Sequence, residues 1–238
     1  MTFLTRFPAG FTVAAGGLEA AIRQSLGFLY AHTGTHDRAS FSRALIDDRE
    51  AGGQLAAETQ DAFVASDVFA EIVASAPMRG FAADLVGCRE ADLVTAFPHL
   101  RIDLPTRFSA DEKRLNLPWH QEADYYLPKG DCSTKSLVIS TPLFDCKASD
   151  GALVVGPGSH LEGYEPHSTV FMDEARQRHK RVICTPPAEE VVAETVQGES
   201  QVITFLLKHR SGVNEGPFVR CTMLLRVGAR QDIDAEAS

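Results

Sequence analysis

The chain has 238 residues, 44% hydrophobic and 23% charged, enough apolar side chain to close a sizeable core; a disordered tail, a disulfide-stapled miniprotein and a collagen-like fibre are excluded. Its 32 acidic and 23 basic residues leave a net charge of −9, which disfavours phosphate backbones and anionic lipid surfaces, so no nucleic acid and no membrane is expected as a partner.

Phe11 to Ala15 is apolar but brief, running into Gly16, Gly17 and Glu19, so it does not read as a secretory leader. From Leu18 the apolar positions Ala21, Ile22, Leu26, Leu29 and Tyr30 recur at threes and fours, the stripe of an amphipathic helix. His32 to Asp37 reads as a turn, with His32 and His36 in a loop. Asp67 can cap a helix over Val68 to Ala74, and Ser75 with Pro77 can open another that runs through Leu85 and stops at Gly87.

The period then changes. Leu100, Ile102 and Leu104 alternate with Arg101 and Asp103, so Arg101 shares a face with His99. Ser136 to Leu143 and Ala152 to Val155 flank a loop holding Asp150 and Gly151, which predicts a hairpin. Glu190 to Thr195, Val202 to Leu207 and Phe218 to Val227 are further strands. One domain spanning 1–238 is expected: mainly β with N-terminal helices (α+β), in which helices in 1–90 buttress a double-stranded β-helix, jelly-roll and cupin-like, over 97–228. The apolar runs are strand-sized, far below the ~18 to 20 residues of a membrane span. The five cysteines, Cys88, Cys132, Cys146, Cys184 and Cys221, contain no CxxC pair. A cytoplasmic protein with reduced thiols is expected.

On an extended strand His120 and Glu122 point to one face, as two of the three ligands of a facial metal site. His209, after the Val202 to Leu207 run, is the best-placed third. A surface ion pair is the competing reading of His120 and Glu122 alone. Trp119 should point the other way, into packing.

The order of Trp119-His120-Gln121-Glu122, then a polar hairpin, then the stretch from Gly151 to His160, then His209 to Asn214 and a following arginine, resembles the phytanoyl-CoA dioxygenase family of iron(II)- and 2-oxoglutarate-dependent oxygenases over Arg101 to Arg226. The resemblance implies that His120, Glu122 and His209 hold iron(II). It implies that Arg220, aided by Ser211, holds the far carboxylate of 2-oxoglutarate, and that O2 is consumed. Glu122 departs from the family's aspartate, and Asp124, two residues on, is the alternative ligand. The implied activity is hydroxylation of a small organic molecule with release of succinate and CO2; the retained carboxylate disfavours halogenation. Physically, a guanidinium fork suits a carboxylate through two parallel charge-assisted hydrogen bonds.

Arg101, His160 and His167 are candidate substrate contacts; a solvated or ion-paired arginine is the competing reading of Arg101, and a staple in the turn at Pro157 to His160 that of His160. Asn214 reads as a brace or a plain turn residue. Leu161 to Glu189 is long enough for a lid. Its cluster of His167, Arg176, Arg178, His179, Lys180 and Arg181 reads as a solvated helical face, with attraction of an anionic small-molecule substrate as the alternative. The rival functions are a cupin-like metal protein with an isomerase or ligand-binding role, and a barrel that binds without turnover.

Overall fold

The computed structural model describes residues 9–108, 117–123, 136–166, 168–173 and 178–230. Strand β1 (Phe11–Ala15) leads into five helices: α1 (Glu19–Thr33), α2 (Arg38–Glu50), α3 (Leu55–Val64), α4 (Asp67–Ala74) and α5 (Ala76–Val86). The strands that follow are β2 (Leu93–Asp103), β3 (Leu137–Pro142), β4 (Leu153–Val155), β5 (Ser168–Asp173), β6 (Arg178–Ile183), β7 (Val191–Ala193), β8 (Glu199–Thr204), β9 (His209–Arg210) and β10 (Arg220–Ala229).

Local chemistry sets the helix ends. Gly34 closes α1 at φ 67° and Gly87 closes α5 at φ 79°, left-handed conformations that glycine adopts without a Cβ penalty. Asp37 caps α2 by accepting from the Ser40 amide at 2.7 Å, and the Ser40 hydroxyl answers the Asp37 amide at 3.2 Å. The cap of α4 is Ser66, whose hydroxyl accepts from the Phe69 amide, rather than the expected Asp67. Asp67 instead sits one residue inside, where its charge favours the helix N-terminus. Helix α1 runs on past Tyr30 to Thr33, so His32 lies in its last turn, stacked on Phe28, while His36 is exposed beside Asp37.

The main sheet is antiparallel, in the order β1-β8-β3-β10-β2; a second holds β7-β4-β9. Strand period two gives the main sheet two chemically different faces. Leu100, Ile102, Leu137, Ile139, Met223, Leu225 and Val227 turn outward into one core with Leu29, Phe41, Leu45, Phe63 and Ile72 of the helices. Val138 and Ile203 turn inward and meet Val155 of the smaller sheet. The site lies between the two sheets.

Three expectations are corrected. The predicted hairpin does not form. The turn is present, with Gly151 at φ 81°, but β3 pairs with β8 and β10 whereas β4 pairs with β7 and β9. Strand β3 is buried along its whole length, so it needs neighbours on both edges, and the chain crosses between sheets instead of folding back. The segment read as a solvated helical face contains the antiparallel pair β5 and β6, in keeping with the β-branched Thr169, Val170, Val182 and Ile183. Phe11 to Ala15, weighed only as a leader, is the edge strand paired to β8. No helix among the described residues is long and apolar enough to cross a membrane. Cys88, Cys146, Cys184 and Cys221 are free thiols; Cys132 lies outside the described residues.

Candidate metal centre

His209 opens β9, held to β4 through its register with Val155. The segment 117–123 reaches it by one bridge. The His120 amide donates to the His209 carbonyl at 2.9 Å and the His209 amide returns the bond at 3.0 Å. Residues directly opposed in such a pair project to the same side, and the two imidazole centroids lie 4.1 Å apart. Beyond that bridge the chain turns, so Glu122 arrives on a turn and not on the continuous strand expected. The Ala123 amide, donating to the Phe205 carbonyl at 3.1 Å, fixes that turn. Trp119 faces the other way and packs with Val154 and Cys184 under the Arg210 guanidinium.

His120, Glu122 and His209 are all buried, and one ligand atom from each lies within 4.8 Å of the others. Glu122 Oε2 is 3.8 Å from His120 Nε2 and 3.6 Å from His209 Nε2. Each imidazole is oriented from behind: Nδ1 of His120 is 2.7 Å from the Pro118 carbonyl and Nδ1 of His209 is 2.9 Å from the Leu207 carbonyl. A carbonyl only accepts, so each Nδ1 carries the proton and each Nε2 presents its lone pair. Two lone pairs and a carboxylate oxygen converging in a buried space call for a cation between them. This donor set, two imidazoles and one carboxylate, fits iron(II) with three coordination positions left open.

Burial foremost, then the neighbouring His209, pushes His120 down to about 3. Burial works against ionisation of Glu122, but the His209 ring and the Arg226 guanidinium outweigh it and hold the carboxyl well below its usual range. At His120 the unfolded chain takes up a proton below about pH 6.5, the folded chain not until far lower, so folding stability falls as pH drops. The metal-free protein is expected to lose about 2 kcal/mol between pH 6.5 and pH 5 from this group, read by urea unfolding; constant stability across that range contradicts the assignment.

The triad opens on a cavity of about 320 Å³. Leu117, Val138, Leu153, Ile203 and Leu224 give it apolar walls; His99, Arg101, Asp103, Ser211 and Arg226 give it polar ones. Arg220 is not on that wall. It lines an adjoining space of about 40 Å³ that shares Arg101, Ser140, Leu153, Ser211 and Leu224 with the larger one. Its Nη2 and Nε donate to Asp103 Oδ2 at 2.6 and 3.0 Å, and its Nη1 donates to the Gly151 carbonyl. Asp103 Oδ1 accepts from Arg101 at 2.7 Å. Two guanidiniums thus share one carboxylate, Arg101 on Oδ1 and Arg220 on Oδ2. The Ser211 hydroxyl, 3.2 Å from the Leu117 amide, stands on the shared wall.

Arg101 therefore lines the cavity, as its strand face implied. His160 does not. The 3₁₀ turn Ser159–Glu162 buries its ring against Gly10, where an added Cβ would fall 2.5 Å from His160 Nδ1. The ring is buried and is not among the side chains that line the cavity. Asn214 ties its own loop, donating to the Phe218 carbonyl and accepting from the Gly216 amide. His167 and Asp124 lie outside the described residues.

Arg226 was not anticipated. It donates through Nε to Glu122 Oε1 at 2.6 Å, and its Nη1 lies 3.1 Å from the Phe97 carbonyl and 3.0 Å from His99 Nδ1. The signal was available: on β10 residues 220, 222, 224 and 226 share the inward face, while Cys221, Met223, Leu225 and Val227 enter the outer core.

The phytanoyl-CoA dioxygenase (PhyH) family model matches residues 9–222. Among solved structures, the non-heme monooxygenase ThoJ in its apo form is 21% identical with a TM-score of 0.64, over 96% of this chain and 77% of that one. EvdO2 from Micromonospora carbonacea var. aurantiaca, complexed with 2-oxoglutarate, is 19% identical with a TM-score of 0.58, over 93% and 86%. SnoN, a non-heme alpha ketoglutarate dependent epimerase from nogalamycin biosynthesis, is 14% identical with a TM-score of 0.59, over 95% and 81%. At these identities the likeness is one of fold, a jelly roll with N-terminal helices. No curated protein matches the chain in sequence.

Proposed function

The chain belongs to the phytanoyl-CoA dioxygenase family of iron(II)- and 2-oxoglutarate-dependent oxygenases, and from that premise we propose that it hydroxylates a small organic substrate, releasing succinate and CO2. The observation that carries this reading is the buried convergence of His120 Nε2, His209 Nε2 and Glu122 Oε2 on one wall of the cavity. When bound, the iron and co-substrate supply the oxidising power, with one oxygen atom going to succinate and one to the substrate.

The remaining work falls to this chain's own side chains. Pro118 and Leu207 fix the imidazole tautomers from behind, and the apolar walls around Val138 and Ile203 keep water from the reacting centre. Arg220 holds the far carboxylate of the co-substrate, with Ser211 beside it on the shared wall. The place of Arg220 beside the wall that the two spaces share supports this role. Arg101 is the substrate contact retained from the sequence. A cavity of about 320 Å³ lies at the small end of the range for ligand sites, which favours a compact substrate.

Family membership leaves the cupin-like, non-redox alternative without support. SnoN is an epimerase on the same fold, so the mass of the product matters. The test is a screen of small metabolites, anionic ones included, for succinate release that requires iron(II), O2 and substrate together. A product heavier by one oxygen is expected; turnover with unchanged product mass contradicts hydroxylation, and no succinate from any candidate contradicts the reading as a whole.

A further inference from the structure

We propose, resting on the oxygenase reading above, that Arg226 is a positioning residue that keeps Glu122 a one-oxygen ligand. A glutamate has one more methylene and one more rotor than an aspartate, so both of its oxygens can swing onto a cation. That geometry would fill a fourth coordination position and leave two, one short of the three that a chelating keto acid and O2 require. Arg226 removes the second oxygen from play. Its Nε–H takes Oε1 at 2.6 Å in a buried, charge-assisted hydrogen bond, while Oε2 stays turned to the two imidazoles.

The chain around Arg226 is arranged to hold it there. Phe97 is the one non-glycine residue with positive φ among those described, at 44°, a conformation that bulky side chains seldom adopt. It falls where the β2–β10 register slips between Leu224 and Arg226, and its carbonyl faces Arg226 Nη1 at 3.1 Å. His99 Nδ1 faces the same Nη1 at 3.0 Å. The same Nδ1 lies 3.2 Å from the Phe97 carbonyl, so ring, carbonyl and guanidinium form one cluster. The Phe97 carbonyl and the His99 ring thus hold a guanidinium whose other edge fixes the metal ligand.

The test is a double-variant cycle read by cobalt(II) titration and the visible spectrum of the cobalt protein. Arg226→Met is expected to shift the ligand-field bands of the cobalt(II) protein in the native background, as a second carboxylate oxygen binds, without loss of cobalt(II) affinity. In the Glu122→Asp background, where the shorter arm needs no restraint, the same change is expected to leave the bands in place. Equal band shifts in both backgrounds would mean that Arg226 serves only as a countercharge, and an unaltered spectrum in the native background would also overturn the proposal. Arg226→Lys, which keeps the charge without the Nε–H, is expected to follow Arg226→Met and carries the test if the methionine variant does not fold. A wild-type protein that binds no cobalt at all would overturn the oxygenase reading itself, an outcome distinct from the others.

Discussion

His209→Ala is expected to yield a folded protein whose iron(II) affinity falls by more than about 100-fold, beyond the range seen when only an outer partner of a ligand is lost. The fold should survive because the pairing of this segment is made by backbone atoms. The amide and carbonyl of residue 209 bond His120, and both remain in the alanine variant. What is lost is one of three electron-pair donors, leaving His120 and Glu122 as a two-point site. Iron content equal to wild type would remove His209 from the centre.

Arg220→Ala is expected to raise the half-saturating concentration of 2-oxoglutarate at least about 30-fold while iron retention is unchanged. The figure follows from truncating one partner of a buried, hydrogen-bonded charge pair, which costs about 2 to 5 kcal/mol at about 1.4 kcal/mol per decade. The parent places three cationic N–H groups of Arg220 on Asp103 and Gly151, so the guanidinium is immobilised before any ligand arrives. Asp103 keeps Arg101 as a partner in the variant, which limits the structural damage. Arg220→Lys should recover part of the loss, since an ammonium supplies charge without the fork. Equal co-substrate affinity in wild type and Arg220→Ala would remove Arg220 from the clamp.

The parts legible in the sequence are those governed by neighbours along the chain. Ser75, Pro77 and Gly87 mark the ends of α5 because capping and left-handed closure are local chemistry. The alternation at Leu100 to Asp103 puts His99, Arg101 and Asp103 on one strand face, and all three line the cavity. His120, Glu122 and His209 were found through motif order, and their meeting rests on a single two-residue bridge that no periodicity reveals.

What escaped is what depends on partners distant in sequence. Asp150 and Gly151 do make a turn, but no local signal says that the strands on either side join different sheets. His160 sits in a turn beside small residues, and its burial against Gly10, outside the cavity lining, depends on a segment 150 residues earlier in the chain. Arg226 lies six residues past the arginine that the motif selects. Its role emerges only from the bulge that brings Phe97 and His99 to the same guanidinium.

The central claim is that one buried triad holds iron(II) while leaving room for a chelating keto acid. It is tested most directly by visible absorption of the protein under strict exclusion of oxygen, titrated with iron(II) and 2-oxoglutarate. A weak charge-transfer band that appears only when both are present is the predicted result; a featureless spectrum at saturating concentrations of both would contradict it.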